Sequence, residues 1–183
     1  MANTNSRMKY LNVSLSGLRG RNHPALANIV TTVQVQKSRI HLKMLAGDYF
    51  TYEMKSKHSG GSPHCRCCPS TPTSPLPPPE TLLHIITVCG AYSDIRKRIT
   101  EQYRSICSKT KSNLIFDKIY NDSESFCQFV LDPASFNLSQ RININDPALS
   151  AIFGLSRDFC FGINAARMKI LKNKASEVDV VGV

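Results

Sequence analysis

The chain has 183 residues, 42% of them apolar, so it can bury a core and fits one domain or two small ones. Lys and Arg number 23 against 13 Asp and Glu, a formal charge of +10 that suggests a polyanionic partner such as nucleic acid, or an anionic membrane face. No apolar run of about eighteen residues is present to span a membrane, and Met1–Ser16 lacks the apolar stretch of a signal peptide.

Seven cysteines is an odd number, so they cannot all pair within the chain. Together these features predict an intracellular, reducing setting with no membrane partner, where clustered Cys and His signal metal more often than disulfides. The positive charge is concentrated early: residues 1–60 carry nine Lys/Arg against Asp48 and Glu53, whereas residues 111–145 are close to neutral.

Residues 1–22 read as a polar tail or linker, with at most a short strand over residues 10–15. Residues 23–62 form a basic helical segment. Asn22-His23-Pro24 is a helix-start signal, and Leu26, Ile29, Val30 and Val33 follow at helical spacing. Val33, Lys37, Ile40 and Met44 continue the pattern to Gly47, a residue suited to a left-handed stop. A further turn or two is expected between Asp48 and Lys57, before His58-Ser59-Gly60-Gly61-Ser62-Pro63 breaks regular structure.

Residues 63–110 hold the most informative stretch: Cys65-Arg66-Cys67-Cys68, then a Pro/Ser/Thr run, then His84-Ile85-Ile86-Thr87-Val88-Cys89. This is C-x2-C, fifteen residues, then H-x4-C. Thiolates and a neutral imidazole are the donors Zn²⁺ prefers, and four of them close a structural site. The expected ligands are Cys65, Cys68, His84 and Cys89, with Zn²⁺ as cofactor. Cys67 is an extra thiol beside them, and His64 is an adjacent imidazole read as an exposed loop residue. Six of the ten prolines lie in residues 69–79, which makes this a loop between two half-sites. His84 and Cys89 would point about 140° apart on one straight helix. Cys89 must therefore sit where a helix ends, and Gly90 fits that stop. A second helix is expected from Ser93, with Ile95, Ile99, Tyr103 and Ile106 on one stripe.

Residues 111–183 form a C-terminal helical segment. A helix is expected at Ser123–Leu131, stopped by Asp132-Pro133. Another starts at Asp146-Pro147, is broken near Gly154 or Ser156, and gives way to a frayed tail over residues 173–183. Cys107, Cys127 and Cys160 fall on apolar faces and read as core; His23, His41 and His58 read as surface residues. Tyr49, Tyr52 and Tyr92 read as half-buried packing, with base stacking as the alternative. The fold class is thus mainly α, several helices around a small CCHC zinc-binding element with a Pro-rich loop.

These motifs together resemble the C-terminal region, downstream of the polymerase, of non-LTR retrotransposon reverse transcriptase polyproteins. The matching pieces are Gly17-Leu18-Arg19-Gly20-Arg21-Asn22-His23-Pro24, Met44-Leu45-Ala46-Gly47-Asp48-Tyr49, Gly60-Gly61-Ser62-Pro63-His64-Cys65-Arg66-Cys67-Cys68, and His84–Cys89 with Tyr92 and Arg96. The likeness runs from about residue 10 to 171. It implies a CCHC zinc element that helps hold template RNA or target DNA, with an upstream polymerase domain as partner in the parent polyprotein. Cys67 stands where that family usually has an apolar residue.

Reverse transcription requires paired aspartates on two Mg²⁺, and no Asp-Asp occurs in the chain. No Walker-type phosphate loop occurs either, so no enzyme activity is expected. If the resemblance holds, the chain is a fragment or decayed copy without polymerase or endonuclease motifs. Nucleic-acid contacts are expected from Arg19, Arg21, Lys37, Arg39, Lys43, Arg66, Arg96 and Lys97. The competing expectation is a structural or protein-interaction module, in which those bases are solvated helix faces.

Overall fold

A computed structural model describes Tyr10 and residues 29–69, 75–136 and 147–181, with side chains to residue 176. The protein is mainly helical, and among the described residues there is no β-strand, only an isolated antiparallel bridge between His64 and Pro79. Seven α-helices are described: α1 (Thr32–Leu45), α2 (Tyr52–Ser59), α3 (Leu82–Thr87), α4 (Ser93–Lys109), α5 (Asn113–Asn121), α6 (Ser123–Leu131) and α7 (Pro147–Val181). Short 3-10 turns at Gly90–Tyr92 and Pro133–Ser135 lead into α4 and out of α6.

α1 begins later than the sequence pattern predicts. Thr31 is its N-cap, accepting from the Gln34 amide while the Gln34 side chain accepts from the Thr31 amide. This reciprocal pairing satisfies two donors that the helix itself leaves open. The apolar positions Val30 and Val33 consequently face outward at 87% and 55% exposure, and the buried face is Ser38, His41, Met44 and Leu45. The start signal at Asn22-His23-Pro24, the strand expected over residues 11–15, and Arg19 and Arg21 all lie outside the described residues. Gly47 does take the left-handed conformation, at φ +74°, just past the end of α1.

His41 corrects a surface assignment. It is fully buried, and its Nε2 lies 2.9 Å from the Leu131 carbonyl oxygen at the end of α6. Tyr10 likewise does not behave as tail: it is buried, its hydroxyl donates to Glu124 at 3.4 Å, and the Gln128 amide donates to its carbonyl.

One core draws on residues from Tyr10 to Ile163. α7 runs along α1 and α4, α5 pairs with α6, and α3 packs on α6 and α7. Tyr103 of α4 stands edge-on to Phe129 of α6 at 5.1 Å and tilted to Phe116 of α5 at 6.0 Å. Its hydroxyl is satisfied by Ser156 Oγ at 2.8 Å. Ser156 is therefore a buried partner of Tyr103 and not a break, and α7 continues unbroken to Val181 past the expected frayed end. Cys107, Cys127 and Cys160 are buried in this core, as their apolar surroundings imply. The helix expected at Ser123–Leu131 has those bounds, whereas α5 had no counterpart in the sequence reading.

Candidate metal centre

The Gly/Pro-rich turn and α3 are brought together by backbone pairing at the base of the Pro-rich loop. The Cys65 amide donates to the Pro78 carbonyl and the Glu80 amide to the Pro63 carbonyl, both at 2.8 Å. The His64–Pro79 bridge lies between these two bonds. The left-handed Gly60 (φ +74°) and Gly61 (φ +96°) turn the chain out of α2 into this strap. Beyond it Thr81 caps α3, accepting from the His84 amide at 2.9 Å, which fixes His84 on the first turn.

α3 ends at Thr87, and Cys89 lies two residues past it, where the sequence required a turn. The amides of Val88 and Cys89 both donate to the His84 carbonyl, curling the chain so that Cys89 comes back beneath His84. Arg96 of α4 locks the curl from outside, donating to Ile86 O at 3.2 Å and Cys89 O at 2.9 Å.

Four donor atoms converge as a result. The Sγ atoms of Cys65, Cys68 and Cys89 and a ring nitrogen of His84 all lie within 4.8 Å of one another. Cys68 Sγ is 3.4 Å from His84 Nε2 and 3.5 Å from Cys89 Sγ, and Cys65 Sγ is 3.9 Å from Cys89 Sγ. A tetrahedron with metal–sulfur bonds of ~2.3 Å has sulfur–sulfur edges of about 3.8 Å. The four side chains therefore outline a cage that fits a metal ion.

The electrostatics agree with that use. Burial pushes the His84 imidazole below its ordinary value, which keeps it neutral and able to donate its lone pair. Burial also pushes the Cys68 thiol up. At Cys65 a hydrogen bond with Cys67 works downward, but the contact with Cys89 and burial outweigh it. Thiols gathered this closely resist ionising on their own; a cation among them reverses the balance.

The two neighbouring candidates lie outside the quartet. His64 Nδ1 hydrogen-bonds to the Pro77 carbonyl at 2.5 Å and is half-buried, so it is part of the strap and not an exposed loop residue. Cys67 Sγ accepts from the Tyr92 hydroxyl at 3.1 Å in the core below the quartet.

Beneath the strap lies a pair that the sequence reading missed. Glu80 is fully buried, accepts from Arg167 Nη2 of α7 at 2.6 Å and from Nε at 3.2 Å, and also takes the Tyr52 amide at 3.1 Å. Nothing local in the sequence pairs positions 87 apart; the only hint was an acid at the edge of an apolar run.

Of the expected nucleic-acid contacts, Arg39, Lys43, Arg66 and Lys97 are exposed. Lys37 is bound to Asp158 of α7 at 2.7 Å, and Arg96 is engaged with the two carbonyls above. These two hold the fold. Arg66 lies over the Tyr52 ring at 4.6 Å, at the mouth of a groove of about 630 Å³ that Lys174 also lines. Tyr49 and Tyr92 are buried, and Tyr52 is half-buried at the edge of this groove. Among the described residues no carboxylate lines the groove. No family model, curated protein or solved structure matches the chain.

Proposed function

We propose that the protein is a zinc-stabilised nucleic-acid-binding module, of the kind found after the polymerase in non-LTR retrotransposon reverse transcriptases. In this reading Cys65, Cys68, His84 and Cys89 hold Zn²⁺, since three thiolates and one imidazole are a donor set suited to that ion. Four protein ligands leave no open position for a reactive water, so the role of the ion is to join the loop to α3.

The observation that carries the nucleic-acid reading is the groove beside the metal. Arg66 and Lys174 supply positive charge to it, Tyr52 supplies an aromatic face, and Leu76 supplies an apolar wall, with no acid among the described lining residues. That combination of cation and ring suits a single strand, whose bases stack and whose phosphates pair with Arg and Lys. Arg66 sits between two proposed ligands, so the ion would set where its guanidinium lies. The resemblance in the four motif segments adds to the reading.

The test is a titration of a labelled single-stranded oligonucleotide, as RNA and as DNA, over a salt series. Binding that weakens with salt is expected, and the Arg66→Ala/Lys174→Ala variant should lower the slope of log K against log salt by about 1.4, at about 0.7 per phosphate released. Absence of binding at low salt, with zinc present and the fold intact, would leave a structural or protein-interaction module in its place.

A further inference from the structure

A second set of donors lies next to the quartet. Cys65 Sγ, Cys67 Sγ and a carboxylate oxygen of Glu80 are within 4.8 Å of one another, and all three residues are buried. Glu80 divides its work between its two oxygens. Oε1 is held by Arg167 and the Tyr52 amide. Oε2 is fully buried and has no hydrogen-bond partner. A buried carboxylate oxygen with nothing on it is costly, and its cost is removed by a cation. The Arg167 contact on Oε1 would orient the carboxylate for that purpose, as outer partners of metal-bound carboxylates do.

Cys67 completes the set. Its sulfur receives the Tyr92 hydroxyl hydrogen at 3.1 Å, so it already acts as an acceptor. Two soft thiolates and one carboxylate form a donor set for a thiophilic divalent cation.

We propose that Cys65 Sγ bridges two metal ions, one in the quartet and a second held by Cys65, Cys67 and Oε2 of Glu80, with its fourth position left to water. The second ion is of the Zn²⁺/Cd²⁺ class. Its entry breaks the Cys67 S–H bond, forms a metal–sulfur bond and sends the proton to solvent; no electron is transferred. Because Cys65 is shared, the second ion rests on the quartet holding the first.

Native mass spectrometry of the full chain, titrated with Zn²⁺ or Cd²⁺ under reducing conditions, tests this directly. Two ions per chain are expected for the unaltered protein and one for Cys67→Ser, which keeps an acceptor for Tyr92. ¹¹³Cd NMR should give two resonances for the former and one for the latter. Cys67→Ala serves as a second variant if the serine protein does not fold by circular dichroism. A single ion in the unaltered protein, or two in a folded Cys67 variant, overturns the shared site while leaving the quartet intact. No bound ion at all overturns both this proposal and the quartet reading on which it rests.

Discussion

Arg167 Nη2 donates to the Glu80 carboxylate at 2.6 Å, with 7% and 0% of the two side chains exposed, so the residue just ahead of α3 is fastened to the last helix of the fold. The same guanidinium lies 5.7 Å from the Tyr49 ring and 5.5 Å from the Tyr52 ring. The segment leading into the Cys/His cage, α2 and α7 thereby share one buried cation.

Removing that cation alone strands Glu80 in the core. Arg167→Met should destabilise the protein by about 3–5 kcal/mol, the usual cost of leaving one member of a buried pair uncompensated. Adding Glu80→Gln keeps an acceptor for the Tyr52 amide while removing the charge, so the double variant should be more stable than Arg167→Met alone. Urea unfolding of the three proteins measures both differences; a double variant less stable than the single would contradict the pairing.

Metal removal should reach beyond the site. If the quartet holds Zn²⁺ as proposed, a Cys65→Ser/Cys68→Ser variant should lose it and show a clear drop in thermal midpoint, because the ion would join both halves of the cage. Treating the unaltered protein with a strong chelator should give the same drop, reversible on adding Zn²⁺. Equal zinc content in variant and parent would contradict the ligand assignment.

Arg96 and Arg66 should separate stability from binding. Arg96→Ala removes two bonds to the carbonyls of Ile86 and Cys89, at about 1–3 kcal/mol for the groups left open, and should leave the salt slope of oligonucleotide binding unchanged. Arg66→Ala should do the reverse: little change in unfolding, and a salt slope lowered by about 0.7. Denaturation and anisotropy curves on the two variants decide it.

Acid should weaken the fold through His84. Burial sets its folded pKa below the unfolded value of 6.5, so the unfolded state binds more protons between the two. Stability from this group is therefore complete above about pH 6.5 and declines as pH falls below it, and a bound ion adds to the slope because protons compete for the same nitrogen. Thermal midpoints from pH 8 to 5 should show the decline, and His84→Gln should flatten it.

Much of the site was legible because its rules are local. C-x2-C followed by H-x4-C needs a turn at one end and a helix stop at the other. Gly60 and Gly61 build the turn and Thr81 starts the helix, but the stop falls at Val88, and Gly90, expected there, opens the 3-10 turn to Tyr92 instead. The helix Ser123–Leu131 was equally local, with an Asp122 cap and a Pro133 stop. What escaped depended on partners far along the chain. His41 is buried because Leu131 offers it a carbonyl, and Glu80 because Arg167 reaches it. The break expected near Gly154 or Ser156 does not form, because Ser156 finds its partner in Tyr103, 53 positions away. α5 carried its own signal in Phe116 and Ile119, three apart and both buried, but its short polar boundaries hid it.

The backbone pairing of His64 with Pro79 closes the Pro-rich excursion at its neck. Once the neck is shut, the contour length between the two halves of the cage no longer sets their separation, and lengthening the excursion adds only slowly to its closure entropy. The excursion thus becomes a place where evolution or an engineer can splice in foreign sequence while the donors keep their register. Even a chain cut there should reassemble from two pieces, because α1 still packs along α7 and His41 still meets the Leu131 carbonyl.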